Sequence, residues 1–273
     1  MLINDHFQNF KGYNIPPAQL VIADIPYNVG INAYGSNPSW YIGGDNKNGE
    51  SELAGKSFFS TDENFKPAEF MHFCSKLMKK EPKQTSDAPC MIVFCSFEQQ
   101  FYLIELAKKY GINNYINLVF RKNFSAQVLK ANMRVVGNSE YGLILYREKL
   151  PKFRNNGKMI FNVMDWEDDK DFLYEKIHPT QKPVKLLEKL ISIFTDVGDV
   201  VIDPVAGSGS TLVAAYNLGR KGYGFEINKK FYKDANNWIN TNQQVKDEIK
   251  LKGFSPTLMK IQTNQNSLFE VTV

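Results

Sequence analysis

The 273-residue chain is poor in cysteine and histidine, with three of each. Cys74, Cys90 and Cys95 form an odd set without CxxC spacing, which fits reduced thiols and not a disulfide framework. Three scattered histidines and no paired Cys/His ligands leave a zinc site without its donors. Long apolar runs are also missing: no stretch reaches the ~18 residues of a membrane-spanning helix, so no membrane partner is expected. The start, Met1-Leu2-Ile3-Asn4-Asp5-His6, has no basic stretch ahead of an apolar core, so a secretory signal is not expected and the cytoplasm is. Repeats and low-complexity tracts are absent. The remainder, 43% hydrophobic and 23% charged, is ordinary for a globular chain, and the length suits one large domain.

A net charge of +4 says little, but its distribution says more. Residues 121–158 carry nine basic side chains (Arg121, Lys122, Lys130, Arg134, Arg147, Lys149, Lys152, Arg154, Lys158) and two acids, Glu140 and Glu148. Such a cluster is a candidate phosphate-binding footprint, the other reading being a solvated basic surface.

Strand and helix patterns alternate, which predicts an α/β fold. Strands are expected at 20–23, 90–95 (CMIVFC), 117–120, 141–146, 199–203 and 222–227. Helices are expected at 65–80, from Ser96 to about Tyr110, at 184–194, at 211–218 and from about Lys229 to Val245. Ser96 and Gln99 have the spacing of a capping box, and Gly111 and Gly219 sit where helices stop. Residues 28–62, rich in Gly, Asn and Ser, read as a long mobile loop of the functional kind.

Two stretches carry chemistry. In DVVIDPVAGSGSTLVAAYNLGRKGYGFE (199–226) a strand ends in Asp203-Pro204, a loop turns through Gly207-Ser208-Gly209, and a helix begins. Glycines let a ligand approach the backbone, and a helix start offers free N–H groups. Glu226 follows at the end of the next strand, where nucleotide-binding α/β folds place an acid to accept ribose hydroxyls. A dinucleotide fingerprint would need Gly or Ala at Leu212, so an oxidoreductase is disfavoured and a ribose ligand without pyrophosphate, S-adenosylmethionine, fits better. The second stretch is ADIPYNVG (23–30), directly after an apolar run. Asp24 is a carboxylate acceptor at a strand end, Pro26 fixes the Ile25 carbonyl, and Tyr27 offers a flat ring. Together they suit a planar base bearing an exocyclic amine.

DIPY (24–27), HPTQKP (178–183) and DPVAGSGST (203–211), in that order, resemble the signatures of the beta group of DNA amino-methyltransferases, which act on adenine N6 or cytosine N4. The likeness extends over about residues 2–240. It implies an S-adenosylmethionine-dependent methyltransferase fold of Rossmann-like α/β type. That fold has a mostly parallel seven-stranded sheet with helices on both faces, circularly permuted motif order and one catalytic domain over 1–273. It implies that Asp24, Ile25, Pro26 and Tyr27 hold the target amine. The cofactor would be held by Asp5, His178, Thr180, Lys182, Pro183, Asp203, Pro204, Gly207, Ser208, Gly209 and Glu226, with Lys182 on its carboxylate. No metal is implied. Residues 121–176 would be an inserted target-recognition segment, with the nine basic residues of 121–158 as its expected DNA contacts, and Trp40 or Tyr41 of the 28–62 loop a candidate wedge against a flipped base. Departures from the family pattern are Ile25 for the first proline, which should loosen the backbone, Val205 for a phenylalanine and Ser139 for a histidine.

The Asp-type motif points to adenine, with cytosine N4 as the alternative and RNA or protein-glutamine targets behind. A catalytically weak DNA-binding regulator is the reading from another class. A restriction–modification, mobile-element or regulatory setting and a homodimer fit relatives of this group. Gln265, Leu268 and Phe269 in the tail (254–273) resemble the short peptides that dock on a replication sliding clamp.

Overall fold

The computed structural model of the protein describes residues 1–27, 65–123, 127–130, 135–166, 168–169, 174, 176–178 and 180–252. The expected loop at 28–62, the tail with Gln265, Leu268 and Phe269, and Arg134 lie outside the described residues. So does the side chain of Lys130.

A short strand, β1 (Leu2–Ile3), precedes a 3-10 segment (Phe7–Tyr13) and β2 (Leu20–Asp24). Then come α1 (Pro67–Leu77), β3 (Cys90–Cys95), α2 (Phe97–Lys109) and β4 (Asn114–Arg121). The strands β5 (Gln127–Lys130) and β6 (Val135–Gly137) pair only with each other. They are followed by β7 (Ser139–Tyr146) and β8 (Val163–Asp165). The last described elements are α3 (Val184–Phe194), β9 (Val200–Asp203), α4 (Ser210–Asn217), β10 (Lys221–Phe225) and α5 (Lys229–Lys252).

Eight strands form one sheet in the order β1-β10-β9-β2-β3-β7-β4-β8, one more than expected. All run parallel except β7, which is antiparallel to both β3 and β4. Both faces are covered, which explains why the central strands read as unbroken apolar runs. Alternation still governs which face each residue serves. Leu20, Ile22, Ile92 and Phe94 pack with Leu186, Leu190, Val213 and Trp238 on the side of α3, α4 and α5. Val21, Ala23, Met91 and Val93 pack with Phe70, Met71, Cys74 and Leu103 on the side of α1 and α2. Each fully buried large side chain contributes roughly 1.5–3 kcal/mol.

Local signals explain the helix ends. Ser96 accepts from the Gln99 N–H (3.2 Å), and the Gln99 side chain accepts from the Ser96 N–H (3.0 Å). No described helix is long and apolar enough to cross a membrane.

The span 121–176 is not a separate insertion, because β7 lies inside the sheet and β8 at its edge. The hairpin β5–β6 is the part that leaves the sheet. This placement also splits the basic cluster. Arg121 and Lys122 end β4 at the carboxyl edge of the sheet, where Arg121 pairs with Asp165 (2.6 Å) and Lys122 with Glu140. β7 runs the other way and carries the chain to the amino edge. There Arg147 donates to the Ser75 carbonyl (2.9 Å) and Lys149 to the Pro82 carbonyl (2.7 Å). Lys152 is buried between Asp196 and Asp199, at 2.7 Å from each. Arg154 joins Asp196 and Asp87, both at 2.9 Å. Arg147, Lys149, Lys152 and Arg154 are therefore internal ties at the pole opposite Asp24, a correction to their expected place in a DNA-contact cluster. Lys158 is exposed on the segment that returns to β8.

Removing one partner of a buried ion pair leaves the other charge uncompensated. Lys152→Met should lower the unfolding free energy by about 3 kcal/mol at pH 7, read by urea denaturation, and leave DNA affinity in a filter-binding assay unchanged. A loss of DNA affinity without a loss of stability would return Lys152 to the DNA surface.

Candidate active site

The site follows from the strand order. After β9 the chain passes through α4 to β10 on one side; after β2 it passes through α1 to β3 on the other. α4 and α1 pack on opposite faces of the sheet. The carboxyl ends of the neighbours β9 and β2 therefore border a topological switch point, where open α/β sheets bind ligands.

At the end of β2 the Asp24 carboxylate is partly exposed, but its Oδ1 is buried and has no hydrogen-bond partner. The buried Tyr27 hydroxyl has no well-formed hydrogen bond either, yet it lies close enough to Asp24 to oppose the rise of the carboxyl, while burial and the Asp24 charge raise its own pKa. Asp24 Oδ2 accepts from Lys182 Nζ at 2.6 Å. Burial pushes the Asp24 carboxyl above its ordinary range, Lys182 pulls it back, and the Glu140 charge adds to the rise. Ile25 is buried among Val21, Phe70 and Met91, and its N–H donates to the Phe94 carbonyl (3.2 Å). A proline there would have no N–H to give. The looseness expected from Ile25 is thus offset by a backbone bond and burial. The next carbonyl, of Pro26, accepts from Gln99 Nε2 at 2.8 Å.

Lys182 does not take the place expected for it at the cofactor's carboxylate. Instead its ammonium is buried between Asp24 Oδ2 and Glu140 Oε2 (3.1 Å). The rings of Phe94, Trp166 and Tyr27 surround it at 5.2, 5.6 and 5.8 Å. Burial alone would lower its pKa, but the two carboxylates outweigh burial and hold the ammonium charged. Glu140 is likewise held below its ordinary range: burial opposes this, but Lys182 and Lys122 prevail. Sequence reasoning does not assign Glu140 a role in the site. The available signal is a carboxylate opening a strand that is otherwise apolar.

The remaining candidates line up along the same edge. Gly207 (φ +51) and Gly209 (φ +79) take left-handed backbone, and a Cβ on Gly209 would lie 2.7 Å from Ile239 Cδ1. Glu226, one residue past β10, is buried; its Oε2 accepts from the Gly207 N–H (3.0 Å) and its Oε1 from the Asn228 N–H (2.7 Å). Burial raises its pKa against those two bonds. Asp203 is buried, accepts from the Val205 N–H (3.1 Å), and is pushed up to about 7 by burial. Asp5, just past β1, accepts from Tyr13 (2.6 Å), Asn9 (2.9 Å) and the His6 N–H (2.7 Å), which lower its pKa. His178 is buried beside Gly207, and burial lowers its pKa to about 4, so it is neutral at pH 7. Its Nδ1 accepts from the Thr180 N–H (3.3 Å), which places the proton on Nε2. Pro204 is buried, and so is Pro183, which opens α3. Ser208 bonds Ser210 through their hydroxyls (2.6 Å).

This donor set fits S-adenosylmethionine. Glu226 keeps lone pairs for ribose hydroxyls, Asp5 lies on the adjoining strand end, and the positive-φ glycines admit a ligand to the backbone.

A family model described as DNA methylase, for the N6 and N4 group, matches residues 18–237. The chain belongs to this DNA methylase family. YubD of Escherichia coli (strain K12), a methylase by its provisional name, is 28% identical over 78% of this chain and 83% of its own length. The DNA adenine methyltransferase YhdJ of the same strain is 34% identical over 50% of this chain and 42% of its own. The methylase fold recurs in the solved M1.HpyAVI–SAM complex, with a TM-score of 0.61 and 22% identity, covering 88% of this chain and 100% of that one.

Losing a charged acceptor from a ligand hydroxyl costs roughly 1.5–3 kcal/mol. Glu226→Ala should therefore raise the dissociation constant for S-adenosylmethionine roughly 10- to 100-fold in isothermal titration; an unchanged constant would remove Glu226 from the pocket.

Proposed function

We propose that the protein methylates the exocyclic N6 of adenine in DNA, using S-adenosylmethionine. The observation that carries this reading is Asp24 Oδ1, a buried acceptor without a donor at the carboxyl edge of the sheet. An amine conjugated to a purine is a weak nucleophile, because its lone pair is shared with the ring. Asp24 Oδ1 and the Ile25 carbonyl accept its two N–H bonds, turn the lone pair out of the ring plane and stabilise the positive charge that develops on nitrogen. Tyr27 stacks on the base, which must leave the duplex to arrive. Bound in the Glu226–Gly207 pocket, the cofactor supplies an electrophilic methyl group on a sulfonium. Held geometry supplies much of the remaining acceleration. The family includes adenine and cytosine enzymes; the adenine-specific relative YhdJ and the Asp-type motif support adenine.

Arg121 at this edge and Lys130 in the β5–β6 hairpin are the basic residues we assign to the DNA side; Lys122 is committed to Glu140, and Arg134 lies outside the described residues.

The test is to incubate the protein with S-adenosylmethionine and unmethylated DNA, then digest to nucleosides for mass spectrometry. N6-methyladenine is expected, and Asp24→Ala should lower its formation at least about 100-fold with cofactor binding retained. N4-methylcytosine would correct the base. Neither product would favour a non-catalytic DNA-binding role, and full activity in Asp24→Ala would sink the assignment of the acceptor.

A further inference from the structure

We propose that Lys182 is the positioning residue of the reaction: it occupies one oxygen of Asp24 so that the other faces the target amine. The inference rests on the reading of Asp24 as the amine's acceptor.

The geometry has three parts. Lys182 Nζ reaches only one oxygen of Asp24, Oδ2, at 2.6 Å, and leaves Oδ1 buried without a formed hydrogen bond, with the Tyr27 hydroxyl close to the carboxylate. A carboxylate with one oxygen pinned has lost its rotation about χ2, so the open lone pairs point in a fixed direction. Lys182 is itself pinned. Glu140 Oε2 holds the ammonium from the other side at 3.1 Å, and Glu140 is in turn held by Lys122, which lies over the Trp166 ring at 4.6 Å. Four charges alternating in sign thus run from the end of β4 to the end of β2, and they sum to zero.

The arrangement also explains the burial. An ammonium removed from water costs several kcal/mol unless it is paired, and Lys182 is 7% exposed. Two carboxylates and three aromatic faces within 6 Å provide the compensation. A lysine serving a cofactor's carboxylate would need a free ammonium facing the Gly207 loop. This one is committed to Asp24 and Glu140 on the side of β2 and β7.

Among the described residues, the titratable groups that act on Asp24 are Lys182, Glu140, Tyr27, Cys95 at the end of β3 and Asp203 at the end of β9. Lys182 is the cation bonded to Asp24, and Glu140 is the anion that disfavours its charge; Asp203, pushed up to about 7 by burial, is itself raised by Asp24. Removing Lys182 must therefore raise the pH at which Asp24 becomes an ionised acceptor, whereas neutralising Glu140 must lower it.

The experiment measures kcat against pH at saturating S-adenosylmethionine for the wild-type protein and for Lys182→Met, Lys182→Arg and Glu140→Gln. The cofactor's dissociation constant is measured for each. Lys182→Met should lower kcat about 100-fold, shift the acid limb upward by about one pH unit or more, and leave the cofactor constant within about threefold. Lys182→Arg, which keeps the charge, should retain the acid limb and recover part of kcat. It also carries the test if Lys182→Met does not fold. Glu140→Gln should shift the limb the other way. Weaker cofactor binding with kcat and the acid limb unmoved, in either Lys182 variant, would overturn the proposal in favour of a cofactor contact. Faster transfer in Lys182→Met would overturn it by showing that the ammonium blocks the amine's place. An active Asp24→Ala would refute the reading of Asp24 itself, which no Lys182 result can do.

Discussion

Because β9 and β2 are neighbours whose crossovers leave in opposite directions, their carboxyl ends are open, and the chemistry collects there. The same parallel order brings Asp5, Glu226, Asp203 and Asp24 to one edge, at the ends of β1, β10, β9 and β2. Four acids on one edge would repel if all were equally solvated and charged. They are not. Asp5 is stabilised as an anion by three donors, Asp203 is pushed up to about 7 by burial, Glu226 is raised by burial, and Asp24 has a bonded ammonium. Burial raises Asp203, Glu226 and Asp24 alike, and among these three Asp24 is the one with a bonded ammonium to oppose the rise.

The two edges of the sheet handle buried charge in different ways. At the amino edge, Asp199 bonds Lys79 and Lys152, and Asp196 bonds Lys152 and Arg154; both oxygens of each acid are used. That network only joins the turns before β9 to the segment after β7. At the carboxyl edge the chain of Lys122, Glu140, Lys182 and Asp24 leaves buried oxygens without a formed hydrogen bond: Asp24 Oδ1, the neighbouring Tyr27 hydroxyl, and Glu140 Oε2, which meets Lys182 as an ion pair at 3.1 Å. An unsatisfied buried acceptor destabilises the fold, so its presence is informative where every comparable oxygen at the other pole has a donor.

Much of this was legible in the sequence, because the signals were local. Unbroken apolar runs bounded by turn residues marked β2, β3 and β9; the Ser96/Gln99 spacing marked the start of α2; and the glycine loop and Glu226, read together in the sequence, meet through the Gly207 N–H. The short strand β8 and the β5–β6 hairpin were not legible, because three or four residues carry too little periodicity and are held by pairing partners. The basic cluster misled for a related reason. A count of charges along the chain cannot register that β7 reverses direction and sends Arg147 and Lys152 to the opposite pole from Arg121. Lys182 is the same case at longer range: its partner Asp24 is 158 residues away, and a spacing of that length carries no pattern.

Ile25 shows how a departure from a motif can preserve what the motif does. A proline at this position limits the backbone through its ring, but it has no N–H and cannot bond the neighbouring strand. Ile25 makes that bond, to the Phe94 carbonyl, and fills the core on the α1 side with a side chain that is 1% exposed. The pairing of β2 with β3 is thereby extended one residue beyond Asp24, and Gln99 fixes the following carbonyl, of Pro26, from the first turn of α2. Strand pairing and packing supply the rigidity that a ring would impose through covalent geometry. The Ile25 carbonyl lies between two anchored groups, its own N–H on Phe94 and the Pro26 carbonyl on Gln99.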